Sequence, residues 1–242
     1  MASSQKSFAY VLNQRPFRDN SVIVDLFTEE QGRICCVARP AKKRGKVLKG
    51  SLQPFRYLML QWIGKGDVQT LTESDERGRH TIPPSELMLG IYLNELLLLL
   101  TRQHVPYPEL FSAYKYTLHK LHDPIINQHV MMRFELYLLN CLGYSIEAPS
   151  GEFGSNNLEG EISREIRYRF TQEEGLQGAT QGSIINDGHS QDSFISLELL
   201  LALQDMTIMD ETHWQQLRKF LDSVFRQLAP RTIHSRKLLR VL

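Results

Sequence analysis

SVIVDLFTEEQGRICCVAR, residues 21–39, decides how the first part of the chain reads. Its two ends, SVIVDLFT and GRICCVAR, are short runs rich in β-branched and apolar residues, and TEEQG between them supplies the chemistry of a reversal, so the pair reads as a β-hairpin. Side chains alternate along a strand. In the second run Arg33, Cys35, Val37 and Arg39 therefore share one face, and Ile34, Cys36 and Ala38 the other. The same texture recurs in FAYVLNQ (8–14), FRYLMLQWIG (55–64) and DVQTLTE (67–73), with RPFRDN and GKGD as further turns. Five strands within roughly 70 residues predict a small barrel or sandwich; an OB-fold has that strand number, closes its edges, and offers one face with flanking loops to single-stranded nucleic acid.

The run RPAKKRGKVLKG (39–50) follows as a strand-to-strand loop and holds six lysines and arginines with no acid. It belongs to a wider asymmetry. Residues 1–66 carry 12 Lys and Arg against 4 acids, a net +8, and the rest nets −7, which leaves +1 for the whole chain of 242 residues. A cationic surface of this kind concentrates phosphates from several ångströms away. Cations packed so closely repel one another unless an anion joins them, which weighs against a merely solvated loop. The candidate nucleic-acid-binding residues are Arg15, Arg33, Arg39, Lys42, Lys43, Arg44, Lys46, Lys49 and Arg56. Arg18 and the aromatics Phe17, Phe55, Tyr57 and Trp62, some of them core, could add the cation-plus-ring combination that grips phosphates and stacks bases.

Beyond about Gly78 the pattern turns helical. SELMLGIYLNELLLLLTRQ starts behind Pro83 and Pro84 with Ser85 as N-cap; its apolar core is too short for a bilayer and contains Asn94 and Glu95, so it reads as a buried helix. PELFSAYKYTLHKLH starts with Pro108 in the first helical position and stripes Leu110, Tyr114, Leu118 and Leu121. INQHVMMRFELYLLNCLGY stops at Gly143. A polar loop, a hairpin in IRYRFTQEEGLQGATQ turned near Glu174 and Gly175, and helices in SFISLELLLALQ and DETHWQQLRKFLDSVFRQL complete the chain. The fold class expected is α+β: a five-stranded OB-fold barrel over residues 1–80, then a mainly helical domain over 81–242 with a loop and hairpin insertion at about 145–190.

Catalytic signatures are sparse. P-loop, GxSxG and HExxH patterns are missing, and the three cysteines make neither a disulfide framework nor a CxxC knuckle, as expected of a cytoplasmic protein without a secretory leader. His119, His122 and Asp123 form the one cluster that could hold a metal, and so the one route to a metal-dependent nuclease. An RNA-binding OB protein is the other alternative. The main reading is a binding protein, not an enzyme.

Longer stretches carry a family resemblance: AYVLNQRPFRDNSVIVDLFTEEQGR, the basic loop ending in LKGSLQPF, YLNELL with a following PELF, RFELYLLNCLGY, and SRKLL. Along most of its length the chain resembles the bacterial recombination mediator RecO family. The resemblance implies a protein that binds single- and double-stranded DNA, anneals complementary strands, and works with RecR and single-stranded-DNA-binding protein so that RecA is loaded on gaps. A cytoplasmic, nucleoid-associated location would follow. It also implies that the tail of single-stranded-DNA-binding protein docks on the helical domain at Arg133 in the RFEL motif, beside Met132, Leu136 and Tyr137. Many relatives carry a four-cysteine zinc site after LGY; SIEAPSGEFGS and the hairpin here contain no cysteine, so neither zinc nor any other cofactor is expected.

Overall fold

The computed structural model describes residues 4–18, 21–39, 52–123, 126–147, 166–179, 193–204 and 210–238. Five strands, β1 (Ser4–Phe17), β2 (Ser21–Thr28), β3 (Gly32–Ala38), β4 (Arg56–Ile63) and β5 (Gln69–Arg79), close a barrel in the order β1-β2-β3-β5-β4, with β4 returning to β1. The pairs are antiparallel except β3 with β5, which run parallel from Cys36 opposite Gln69 to Ala38 opposite Leu71. The α+β class and the five-stranded N-terminal barrel are those expected. The alternation in β3 holds, since Ile34, Cys36 and Ala38 sit in the barrel core with Ala9, Val11, Val24, Leu26, Leu58, Leu60, Trp62 and Leu71. Trp62 is fully buried, and its indole N–H donates to Gln5 Oε1 at 2.7 Å, so the largest core side chain leaves no polar group unpaired.

The barrel carries one irregularity that sets its outer surface. Val11 lies opposite Leu26 and Asn13 opposite Asp25, so Leu12 is an extra residue, a β-bulge. Before it the odd residues Ala9 and Val11 face the core. After it the phase reverses: Gln14 and Pro16 lie opposite the inward Val24 and Val22, and Arg15 and Phe17 lie opposite the outward Ile23 and Ser21. The bulge is held by α1 (Leu87–Leu100), whose buried Asn94 donates from Nδ2 to the Leu12 carbonyl at 2.9 Å and accepts the Tyr114 hydroxyl of α2 (Pro108–Lys120) on Oδ1 at 2.5 Å. Around this node Tyr10, Phe27, Phe111 and Tyr114 are buried with ring centroids 5.1–6.1 Å apart.

By packing, the chain forms two compact units: Met1–Phe134 with Ile233–Leu242, and Glu135–Thr232. The first holds the barrel, α1, α2 and the beginning of α3 (Asn127–Cys141). Its α1 starts differently from expectation: Pro84–Glu86 make a 3-10 turn, Ser85 is exposed, and the N-cap position falls on Glu86 with no side-chain cap bond. Glu86 instead takes a hydrogen bond from Asn127 Nδ2 at 2.7 Å, a partner 41 residues away that capping rules cannot anticipate. The other acid of α1, Glu95, accepts from the backbone N–H groups of His234 and Ser235 at 2.8 Å and from the Ser235 hydroxyl, so it fastens the returning segment with its 3-10 turn (Ser235–Leu238) to the unit. These donors hold the Glu95 carboxyl below its usual value against the opposing effect of burial.

In the second unit β6 (Arg167–Thr171), β7 (Gly175–Ala179) and β8 (Phe194–Ser196) form a sheet in the order β7-β6-β8. The β6–β7 hairpin turns at Gly175 with φ +72°, where the sequence places it. SFISLELLLALQ is not helical throughout: Phe194–Ser196 pair with β6, and α4 (Leu197–Gln204) starts where the Ser196 hydroxyl accepts the Leu199 N–H at 3.2 Å. α5 (Glu211–Leu228) is capped by Asp210, which accepts from the His213 N–H at 2.8 Å, and buries Leu217, Leu221 and Val224. Across from it the fully buried Glu135 receives both Nη atoms of Arg218 at 2.8 and 2.9 Å.

Replacing Asn94 by Leu leaves the Leu12 carbonyl and the Tyr114 hydroxyl buried and unpaired, at about 1–3 kcal/mol each. The expected outcome in chemical denaturation is a loss of about 2–5 kcal/mol. A variant within about 0.5 kcal/mol of the parent would show that the bulge holds itself.

Candidate nucleic-acid interface

Downstream of the bulge a row of outward residues crosses the sheet, Arg15 on β1 opposite Ile23 on β2, Ile23 opposite Val37 on β3, and Val37 opposite Thr70 on β5. Ile23 and Val37 are half-buried, leaving a shallow apolar floor. Cations and a ring edge it. The Arg15 side chain is 57% exposed, with Nη1 3.7 Å from Asp25 Oδ2, too loose a pair to withhold it from an anion. The Arg18 guanidinium stands 5.1 Å from the centroid of the half-buried Phe17 ring. Arg39, one residue past β3, is exposed. Ile63 and Val68, at the β4–β5 connection, are exposed apolar neighbours of the same end.

Arg39 is the first residue of the basic run. In sequence the run lies between Ala38, in the core, and the fully buried Leu52. Lys42, Lys43, Arg44, Lys46 and Lys49 lie outside the described residues.

Two sequence candidates stand apart from this face. Arg33 is on the outward side of β3 but at its other end, where it donates from Nη2 and Nε to the Thr101 carbonyl at 3.0 and 3.3 Å, and its own carbonyl accepts the His104 N–H at 2.9 Å. Burial lowers its pKa, opposed by Asp25 and Cys35. This arginine ties the β2–β3 hairpin to the end of α1, and Gly32 beside it, at φ +66°, passes so close that a Cβ would lie 1.7 Å from the Val105 carbonyl oxygen. Arg56 donates to Glu76 Oε2 and Gln53 Oε1, both at 2.5 Å. Glu76 also takes Arg79 at 2.7 Å, and these cations outweigh burial to lower its pKa. Of the aromatics, Phe55 and Trp62 are buried, and Tyr57 faces α2.

On α3, Arg133 is exposed, Leu136 and Tyr137, one turn on, are half-buried, and Met132 is 1% exposed. Glu135, two residues on from Arg133, is bound by Arg218. His122 Nδ1 bonds the His119 carbonyl at 2.6 Å, and among the described residues no group of three or more His, Cys, Asp or Glu side chains could hold a metal. Cys35 and Cys36 are buried; burial, with Cys35 adding to it, pushes the Cys36 thiol up to about 12, the state of an inert core residue. No helix among the described residues is long and apolar enough to cross a membrane.

Comparison with known proteins matches the chain to one family in two parts. The family model described as Recombination protein O N terminal matches residues 1–77, and Recombination protein O C terminal matches 84–237. A DNA repair protein RecO of Halorhodospira halophila is 33% identical over 244 residues, covering 100% of this chain and 99% of that protein. One from Aliivibrio fischeri is 34% identical over 176 residues, 70% of each chain, and one from Glaesserella parasuis 32% identical over 218 residues, 87% of this chain and 84% of its own.

The two arginines of the barrel should separate in mutagenesis. Arg33→Ala removes a charge-assisted bond to a helix-end carbonyl and is expected to cost about 1.5–3 kcal/mol of stability, whereas Arg15→Ala should stay within about 0.5 kcal/mol. Equal melting temperatures for both variants would return Arg33 to the pool of free cations.

Proposed function

This chain belongs to the recombination protein O family of DNA repair proteins, and from that premise we propose that it is a recombination mediator that binds single- and double-stranded DNA and anneals complementary strands. The observation that carries the reading is the outward face of Arg15, Phe17, Arg18 and Arg39, the last of them the first of six cations in residues 39–50. Cations set beside a ring and a shallow apolar floor suit a flexible polyanion with flat bases. Lys42, Lys43, Arg44, Lys46 and Lys49 would extend this grip, while Arg33 and Arg56, engaged within the unit, would shape the surface. The 1–80 region would then be the nucleic-acid domain and 81–242 the part that meets proteins.

No covalent step is needed. Annealing brings two polyanions together, and groups that neutralise phosphates without reading base edges lower that repulsion while leaving pairing faces open. In the mediator role RecR would be the partner, and RecA would be loaded on gaps coated by single-stranded-DNA-binding protein. Arg133 would receive the tail carboxylate of that protein through two parallel hydrogen bonds, with Leu136 and Tyr137 offering the apolar wall.

Two measurements test this. Changing Lys42, Lys43, Arg44, Lys46 and Lys49 together to Ala should weaken single-strand binding and lower the slope of log affinity against log salt by about 0.7 for each phosphate no longer neutralised; a parallel RNA oligonucleotide should bind no better than DNA. An unchanged slope would make the run a solvated loop. Separately, Arg133→Ala should weaken a labelled tail peptide about tenfold and leave DNA binding intact. Equal losses in both assays would remove Arg133 from a peptide site.

A further inference from the structure

Away from the Arg15 face, the first unit has a groove of about 370 Å³ between the outer side of β4 and the exposed side of α2, lined by Tyr57, His80, Phe111, Lys115, Tyr116 and His119 with Glu29 and Ser112 at its rim. We propose that this groove is a second nucleic-acid site, taking an unstacked base of a single strand against the exposed ring of Tyr116 while neighbouring phosphates rest on Lys115, seated over Tyr57, and on Lys120. The proposal rests on the annealing reading above and adds to it the place of the second strand.

Its rings are set out as a platform. Phe8 stacks on Tyr57 with centroids 4.8 Å apart and planes 11° from parallel, and Lys115 lies over the same ring, so Tyr57 is held between them and fixes the position of the Lys115 ammonium. Tyr116 is 54% exposed, an unusual position for so large a ring. Each tyrosine has a cation: Lys115 Nζ lies 4.1 Å from the Tyr57 centroid, and Lys120 Nζ 5.5 Å from that of Tyr116. Five residues separate the two lysines, about 7.5 Å of helical rise, so they can meet different phosphates. A ring with a cation, present twice where α2 meets β4, is the pattern that holds single strands without regard to sequence.

The rest of the lining agrees with a base. His80 shares a 2.8 Å hydrogen bond with Tyr10, and burial, then His119 and Lys115, bring its pKa down to about 4, so it presents a neutral flat ring at physiological pH. Glu29 is the one acid among the lining residues, and the floor, Phe111, is apolar. Seven residues of β1 separate Phe8 from Arg15, at most about 23 Å of strand. One unit can thus hold two strands side by side, the arrangement annealing requires.

The test uses the full chain with oligonucleotides carrying 5-iododeoxyuridine, which crosslinks to aromatic rings on irradiation, and maps adducts by mass spectrometry. Wild-type protein should yield adducts on Tyr116. Lys115→Glu with Tyr116→Ala, both on exposed positions, should abolish them and slow annealing at least about fivefold with an unchanged melting temperature. Arg15→Glu with Arg39→Glu should instead lower overall affinity and leave residual groove adducts. Adducts confined to the Phe17 side, or undiminished annealing in the Lys115/Tyr116 variant, would overturn the second site while leaving the first standing. The same holds if that variant loses only an acidic, aromatic-ended peptide. Failure of the wild-type chain to bind any oligonucleotide would defeat the annealing reading itself.

Discussion

One buried amide sets the phase of the barrel surface. Asn94 reaches from α1 to the β1 bulge and satisfies a carbonyl that the bulge takes out of the strand ladder. Because strand side chains alternate, one extra residue reverses every later position, so Arg15 and Phe17 face water instead of the core. Without that shift the Arg15 guanidinium would lie opposite Val22, on the inward side of β2 with Val24. The amide's other end holds Tyr114, and through it the aromatic packing that seats α2 on the barrel. A polar residue in an otherwise apolar helix is thus the coupling between core register and binding face.

Fixed polar contacts elsewhere follow the same logic. Arg33 on Thr101 joins hairpin to helix end, and Arg218 on Glu135 and Asp222 joins α5 to α3 inside the second unit. Such pairs add little net stability over apolar packing, but breaking one leaves a buried charge alone, so they specify a single arrangement. They also separate cations that build the protein from cations available to a ligand. Arg15 and Arg39 are of the second kind by exposure; Arg33 and Arg56 are of the first by their partners.

Much of the architecture is legible in the chain itself. The strands, the alternation in GRICCVAR, Pro108 opening α2 and the Gly143 stop, at φ +90° after α3, are local, written in residues next to one another. Two strands run longer than their local pattern predicts, since β1 extends to Phe17 and β5 to Arg79, where charged and polar residues stay paired because the barrel closes around them. What the sequence could not show are contacts made across long separations. The bulge depends on an amide 82 residues away, and Arg33 on a carbonyl 68 residues away. Exposed cations and engaged ones look alike in a string of letters, which is why the candidate face contained both. The groove at Tyr57 was hidden for the same reason: its rings and lysines come from β4 and from α2, and neither segment alone distinguishes a stacking platform from a core stripe.

The Glu95 clasp on His234 and Ser235 has a consequence for how the molecule is made. The first unit is discontinuous in sequence, its barrel synthesised early and its closing segment only after the second unit has been added. At ribosomal speeds of roughly 5–20 residues per second, the intervening stretch of about 100 residues takes some 5–20 s to emerge. During that interval the Glu95 carboxylate has not yet been given the donors of His234 and Ser235. The second unit is an insertion in the sequence of the first, and the Glu95 contacts to His234 and Ser235 can be made only after it has been synthesised.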